Sequence, residues 1–278
     1  MTRREQQRLR RQWNRYQIKT EVAWQKPIYI ALRKQVNQFL AFAKDQGVNS
    51  ALAQIDVIVK EDPVKDVLYR MYKQVIPAYA SIVFSEITDR YKGELAQEKL
   101  FGISGRWLRD VTEYILNYAA NKITSITETT RDNIRTTIER ELANGESYAR
   151  IAQKIDVDPL YAGRARIISR TEVSGSANYA AHAGAEQTGL EMLKIWISEL
   201  GDRTRRVPRD SFDHLHMNGV TVAMNEPFTV NARSGEENID FPGDPTGSAG
   251  NVICCRCTQG YEAKRDSSGR LIRKPVLR

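Results

Sequence analysis

The chain has 278 residues, enough to bury a core in one large or two modest domains. Its net charge of +8 is uneven: residues 1–20 carry +6 and residues 264–278 carry +5, which leaves the middle slightly acidic and points the two ends at a polyanion or an acidic protein surface. No apolar run is long enough for a membrane span, no apolar segment follows Met1-Thr-Arg-Arg as a secretory signal would require, and three cysteines within residues 254–257 cannot make a disulfide framework.

Residues 3–24 are good helix formers with a thin apolar stripe at Leu9, Trp13, Tyr16 and Trp24. Ringed by arginines, residues 1–25 are expected to form a basic helical arm that orders against a partner. Pro27 is expected to open a second helix, with Ile28, Leu32, Val36, Phe39, Leu40 and Ala43 on one face and Gly47 as its stop. Asp62-Pro63 starts another, which Pro77 should kink. Ser104 can cap the longest element, which runs without Pro or Gly from Arg106 to Asn144 before Gly145. Its stripe (Val111, Ile115, Ala119, Ile123, Ile126, Ile134, Ile138, Leu142) steps by three or four, with Thr130 in the one gap. Unbroken, it would span about 58 Å at ~1.5 Å per residue, more than a small core can cover, so partner subunits are expected along it. The threonine-rich part from Ile123 to Ile138 is its weakest helix former. Ser147 and Asp158-Pro159 start two further helices, the second carrying small residues at 174–177 that allow close approach. Residues 26–188 thus read as one helical domain.

Beyond Gly189 the composition changes: five of nine prolines and nine of seventeen glycines lie after residue 188. The period becomes two, Leu193, Ile195 and Ile197 alternating with Lys194, Trp196 and Ser198. Short strands are expected at 219–222 and 228–230, a long turn-rich loop at 231–250, and a last strand from Val252 to Tyr261. The fold class is therefore a mainly α N-terminal half with long helices, followed by a small α+β module at 189–263 with short antiparallel strands, and a basic tail at 264–278.

Most of the polar chemistry sits in that module. On a strand, Cys255 and Cys257 share a face, and His214 and His216 have the same spacing. A zinc ion could be held by His214, Cys255 and Cys257, with His216 or an Asp as fourth ligand. The same residues also suit a core of buried thiols or a redox pair. Asp202, Arg203, Arg205, Arg206, Arg209 and Asp210 form a mixed-charge cluster that either grips an anion or pins its own loop to Asp213, Glu226 or Asp244. Asp244, between Gly243 and Pro245, is a turn residue. No nucleophile elbow, phosphate-cradling glycine loop or His-Glu-x-x-His helix is present.

The order of these pieces resembles the phage Mu F-like family of minor head proteins. The resemblance rests on Arg170-Thr-Glu172, Trp196, Asp202/Arg203/Arg205, His214 with Gly219, Pro227-Phe228, Pro242-Gly243-Asp244-Pro245 and Cys255-Arg256-Cys257. Two departures are Cys254, where the family usually has Asn, and a longer gap between Arg205 and His214. The resemblance implies a non-enzymatic minor capsid protein of a phage or prophage, assembled in the host cytoplasm and lying inside the capsid at the portal vertex. Its implied partners are the portal protein, packaged double-stranded DNA and scaffold or major capsid protein, with no membrane, and its implied roles are head assembly and genome retention or ejection. Residues 26–188 would then dock the portal. Arg3, Arg4, Arg8, Arg10, Arg11 and Arg15 at one end, and Lys264, Arg265, Arg270, Arg273 and Lys274 at the other, would meet DNA or an acidic partner. Glu172 is expected to pair internally with an arginine. The alternative is a metal- or thiol-dependent hydrolase acting in maturation or lysis.

Overall fold

The computed structural model describes residues 1–95 and 103–274, apart from the side chains of 103–108 and of residue 158. The expected Ser104 cap therefore lies outside the described residues. The chain forms two compact units: residues 21–71 with 115–169, and residues 1–20 with 72–114 and 170–278. This division differs from one drawn along the sequence, because long helices pass from one unit into the other.

The first of these units is all helical. It takes α1 (Arg3–Gln46) from residue 21 onward, α2 (Val48–Ala53), α3 (Ile55–Ile58), the first turns of α4 (Asp62–Arg90), α6 (Ala120–Ala143), α7 (Tyr148–Ile155) and the start of α8 (Asp158–Glu186). Ile28, Leu32, Val36, Phe39, Ile123, Ile134, Ile138, Ile151 and Ile155 are buried. These apolar stripes cover one another, so most of the greasy length expected to need other subunits is sheltered within the chain. The threonine-rich stretch is not a weak point here. Gln35 donates to Thr127 Oγ1 (3.0 Å) and to the Lys60 carbonyl (2.8 Å), and Arg164 reaches Thr130 Oγ1 (3.0 Å) and the Ile126 carbonyl (3.0 Å). Burial without those partners would cost each threonine about 1–3 kcal/mol.

Two boundaries differ from expectation, at Pro27 and within the long element after residue 103. α1 is one helix through Pro27, whereas α4 contains Pro77 as expected. Each proline removes one ladder bond, but buried residues on both sides, Trp13 and Gln17 before Pro27 and Ile28 and Leu32 after it, hold the helical path. The long element after residue 103 divides into α5 (Ile103–Tyr114), a π turn (Ile115–Ala119) and α6. Buried positions step from Tyr114 to Ala119 by five, a spacing that a π turn accommodates and an α-helix does not. Gly47 (φ 84°) and Gly145 (φ 71°) stop α1 and α6 as expected, and the Ser147 side chain caps α7 by accepting from Arg150 N.

The second unit joins helices to two small antiparallel sheets. β1 (Met192–Ile197) is central, between β2 (Thr221–Ala223) and β5 (Thr258–Ala263). Ile195 faces Thr221 on one side and Gly260 on the other. A hairpin of β3 (Phe228–Ala232) and β4 (Gly235–Ile239) forms the second sheet, with Phe228 opposite Ile239. β4 lies within the stretch expected to be a loop. Its Gly-Glu-Glu-Asn-Ile sequence has weak strand propensity, and pairing with β3 overrides that. The alternation in β1 does not separate core from solvent. Lys194, Trp196 and Ser198 are as buried as Ile195 and Ile197, because the β3–β4 hairpin and the cysteine loop cover the second face.

Neither end, as far as residue 274, is a loose arm. Trp13 is 1% exposed, donates Nε1–H to the Arg256 carbonyl (2.9 Å) and packs against Tyr16 and Tyr79. The segment after β5 folds back, pairing Leu190 with Arg273 and Arg265 with Leu271. α8 is the post on which this unit is built. A Cβ on Gly184 would fall 2.6 Å from the Ala80 carbonyl oxygen of α4, and one on Gly175 would fall 2.8 Å from the Gly243 carbonyl oxygen. Gly184→Ala should therefore force the two helix backbones apart and cost about 1–3 kcal/mol, read as a lower urea midpoint at unchanged slope.

Candidate metal centre

The cysteine loop is not a strand. Helix α9 (Ala249–Val252) ends at Ile253, and Cys254 takes φ 60°, so the chain turns sharply before β5 begins at Thr258. Cys254 N–H donates to Thr171 Oγ1 (3.1 Å) on α8. This turn, rather than strand alternation, sends Cys255 and Cys257 inward, where they are 1% and 2% exposed. His214 arrives from the long loop after β1. Its backbone is held by a bond from His214 N to the Arg205 carbonyl (3.0 Å), and its carbonyl accepts from the Ser198 hydroxyl.

His214 Nδ1 lies 3.6 Å from each sulfur, and the donor atoms of His214, Cys255 and Cys257 all lie within 4.8 Å of one another. A tetrahedral zinc with bonds of about 2.3 Å to sulfur and about 2.05 Å to nitrogen has an S···N edge of about 3.6 Å. Two thiolates with one imidazole are also the donor chemistry that zinc prefers. The tautomer fits as well. Asn251 Nδ2 donates to Glu237 Oε2 (2.6 Å), so its oxygen faces His214 Nε2 at 2.6 Å. Nε2 must then carry the hydrogen, and the bare Nδ1 lone pair aims at the two sulfurs. Between the sulfurs, Cys255 is held well below the ordinary thiol range, chiefly by a hydrogen bond from Cys257, which is itself pushed well above it. Trp196 and Phe228 wall the site, the Trp196 ring centroid lying 5.3 Å from those of His214 and Phe228.

His216, expected as a fourth ligand, does not join the group. Its Nδ1 is 2.6 Å from Asp213 Oδ2 and its side chain is 77% exposed. One residue separates the two histidines, but the loop between them is a turn, so they diverge. The arginine cluster mostly ties its own loop: Arg209 bonds Asp210 and the carbonyls of Asp202 and Thr204, and Arg205 reaches the Ile253 carbonyl. Asp213 also anchors that loop by accepting from Val207 N. Asp244 organises its turn by accepting from Asp240 N, Thr246 N and Thr246 Oγ1 at 2.8–2.9 Å. Gly219 (φ 89°) bonds the Trp196 carbonyl, Glu172 accepts from the Tyr72 hydroxyl (2.8 Å), and Pro242 and Gly243 lie against α8.

Three important residues were not singled out by the sequence. Asn251 and Glu237 orient His214. Asn178 on α8, fully buried, donates to the Pro242 (2.8 Å) and Cys257 (3.0 Å) carbonyls, accepts from the Thr258 hydroxyl (2.9 Å), and offers its own carbonyl to Gln259 (2.9 Å). An Asn inside an Ala/Gly/Ser helix was the available signal.

The basic ends divide by partner. Arg10 donates to the Ser198 carbonyl (2.7 Å), Arg265 forks onto Glu94 (2.6 and 2.8 Å), Arg270 meets Asp266 and Lys274 meets Glu186. Lys264 lies 3.9 Å from Glu191, and Arg273 is in the bridge to Leu190. Arg3, Arg4, Arg8, Arg11 and Arg15 are exposed on α1, Arg8 with Glu86 at 3.2 Å. Among the described residues, no helix is long and apolar enough to cross a membrane.

Residues 132–260 match the model of the family described as Phage Mu protein F like protein. No curated protein and no solved structure matches the chain.

Proposed function

Through residues 132–260 this chain belongs to the Phage Mu F-like family, and on that premise we propose that it is a minor head protein of a phage or prophage whose C-terminal module is pinned by zinc at His214, Cys255 and Cys257. The family suggests head morphogenesis and a place in the virion. The observation that carries the zinc is the pair of 3.6 Å separations from one imidazole nitrogen to two sulfurs. Portal association inside the head, contact with packaged DNA and a part in genome retention or ejection complete the reading. Recovery of the portal protein with the full-length chain from infected-cell lysates tests the portal contact. A chain that never co-purifies with it overturns that part.

The DNA contact rests on α1. Arg4, Arg8, Arg11, Arg15 and Lys19 follow one another by four, three, four and four, which places them along one exposed side of the helix for about 22 Å at ~1.5 Å per residue. The buried Trp13 and Gln17 hold the opposite side in the fold. Five phosphate contacts would give a slope of about −4 to −5 in log affinity against log salt. The triple change Arg4→Gln, Arg11→Gln and Arg15→Gln should flatten that slope by about 3 units. A slope near zero in the unaltered protein overturns the DNA contact.

The hydrolase reading has less support. The acid in the wall beside the metal corner is Glu199, and its carboxylate already accepts from Gly201 N (2.7 Å) and Thr204 Oγ1 (3.3 Å). Both bonds end on Oε2 and tie the carboxylate to its own loop.

A further inference from the structure

The metal corner opens onto a recess. A cavity of about 150 Å³ is lined by His214 and Cys257, by Cys254 and Thr204, and by Arg170, Arg203, Arg205 and Arg256 against the single acid Glu199. Among the described residues, the ligating group has three members and no fourth His, Cys, Asp or Glu. Zinc is four-coordinate, and a site with three protein ligands leaves one position for a ligand from outside. Two thiolates cancel the charge of the ion, and Arg203 and Arg205 add positive charge to the recess beside Glu199.

We propose that the recess is a carboxylate-binding site, in which an acidic side chain or chain terminus of a partner polypeptide completes the metal's coordination while the arginines hold its second oxygen. The inference rests on the zinc reading given above and extends it. Zinc accepts carboxylate oxygen at about 2.0–2.2 Å, and guanidinium forks match a planar carboxylate. A carboxylate on a side-chain stem fits a recess of about 150 Å³. The arginines come from separate segments: Arg170 from α8, Arg203 and Arg205 from the loop after β1, and Arg256 from the cysteine turn. A ligand here would therefore bridge three parts of the module, which suits a joint made during assembly.

Cobalt(II) substitution of the full-length protein tests both layers. Thiolate-to-cobalt charge-transfer bands report the two sulfurs, and the visible d–d bands report the fourth ligand. The expected result is charge-transfer absorption together with a saturable change in the d–d bands on adding acetate or a peptide ending in glutamate. Arg203→Ala and Arg170→Gln should each weaken the acetate response at least ten-fold while leaving the charge-transfer bands intact, which also shows that the variants are folded and loaded. Charge-transfer bands with d–d bands indifferent to acetate and peptide overturn the carboxylate site and leave the zinc reading standing. A response to inorganic phosphate alone overturns the choice of carboxylate, and equal responses in the arginine variants overturn the role of the recess. Absence of charge-transfer bands overturns the zinc reading, and the inference with it.

Discussion

Chelating the metal from the purified protein is expected to lower its thermal midpoint by roughly 8–16 °C. An ion held a thousand-fold above its Kd contributes about 4 kcal/mol, and in a chain of this size each kcal/mol moves the midpoint by roughly 2–4 °C. The loss should be selective. Cys255→Ser or Cys257→Ser should abolish the response to chelator, because each leaves an imidazole and one thiolate, too few for a structural site. Asn251→Leu should loosen the metal about 10–100-fold without removing a ligand, since His214 would lose the acceptor that fixes its tautomer. Metal retention should also weaken as pH falls, because protons compete for both sulfurs and for Nδ1. Calorimetry with and without chelator checks all four. A midpoint indifferent to chelator in the unaltered, zinc-supplied protein would sink the structural ion and return the three residues to a plain buried core.

Asn178→Ala is expected to be the most damaging single change outside the metal centre, at about 3–5 kcal/mol. The asparagine side chain satisfies the carbonyls of Pro242 and Cys257 and the hydroxyl of Thr258, all in a region closed to water. Each buried group left without a partner costs about 1–3 kcal/mol. Asn178→Asp should be at least as severe, because a carboxylate cannot donate to two carbonyls. Thr258→Val removes a single hydroxyl and should cost less, about 1–2 kcal/mol. Urea unfolding gives the ranking. If Asn178→Asp were as stable as the parent, the clamp would carry no energy. The Cys257 carbonyl is one of its partners, so Asn178→Ala should also loosen the metal.

Where the sequence was legible, a local rule and the tertiary structure agreed. Gly47 and Gly145 end helices because a left-handed residue suits a helix stop, and β1 was visible from its period of two. The illegible parts are those where distant residues overrule local preference. Pro27 looks like a boundary, yet burial on both sides carries the helix through it. β4 looks like a loop because its residues are charged, and only its ladder to β3 makes it a strand. At the candidate metal corner, the sequence offered His214, Cys255 and Cys257 with His216 or an Asp as a fourth ligand, but not how they meet. Cys255 and Cys257 converge through the left-handed turn at Cys254, and His216, which has the same spacing from His214, diverges with Asp213. Asn178, Asn251 and Glu237 carry no spacing signal, since their roles exist only when helix α8, the hairpin and the cysteine turn are brought together.

The burial of Trp13 against the Arg256 carbonyl has a consequence for how the molecule comes into being. α1 finds its seat only on a stretch that is translated long after it, so this unit cannot close until that stretch has been made. A chaperone or neighbouring subunit that shields the nascent helix would govern yield, and a prematurely terminated product would expose its tryptophan as a signal for degradation. For the experimenter, a fragment cut at the helix-to-sheet change would carry an orphaned aromatic, so binding studies belong with the intact polypeptide.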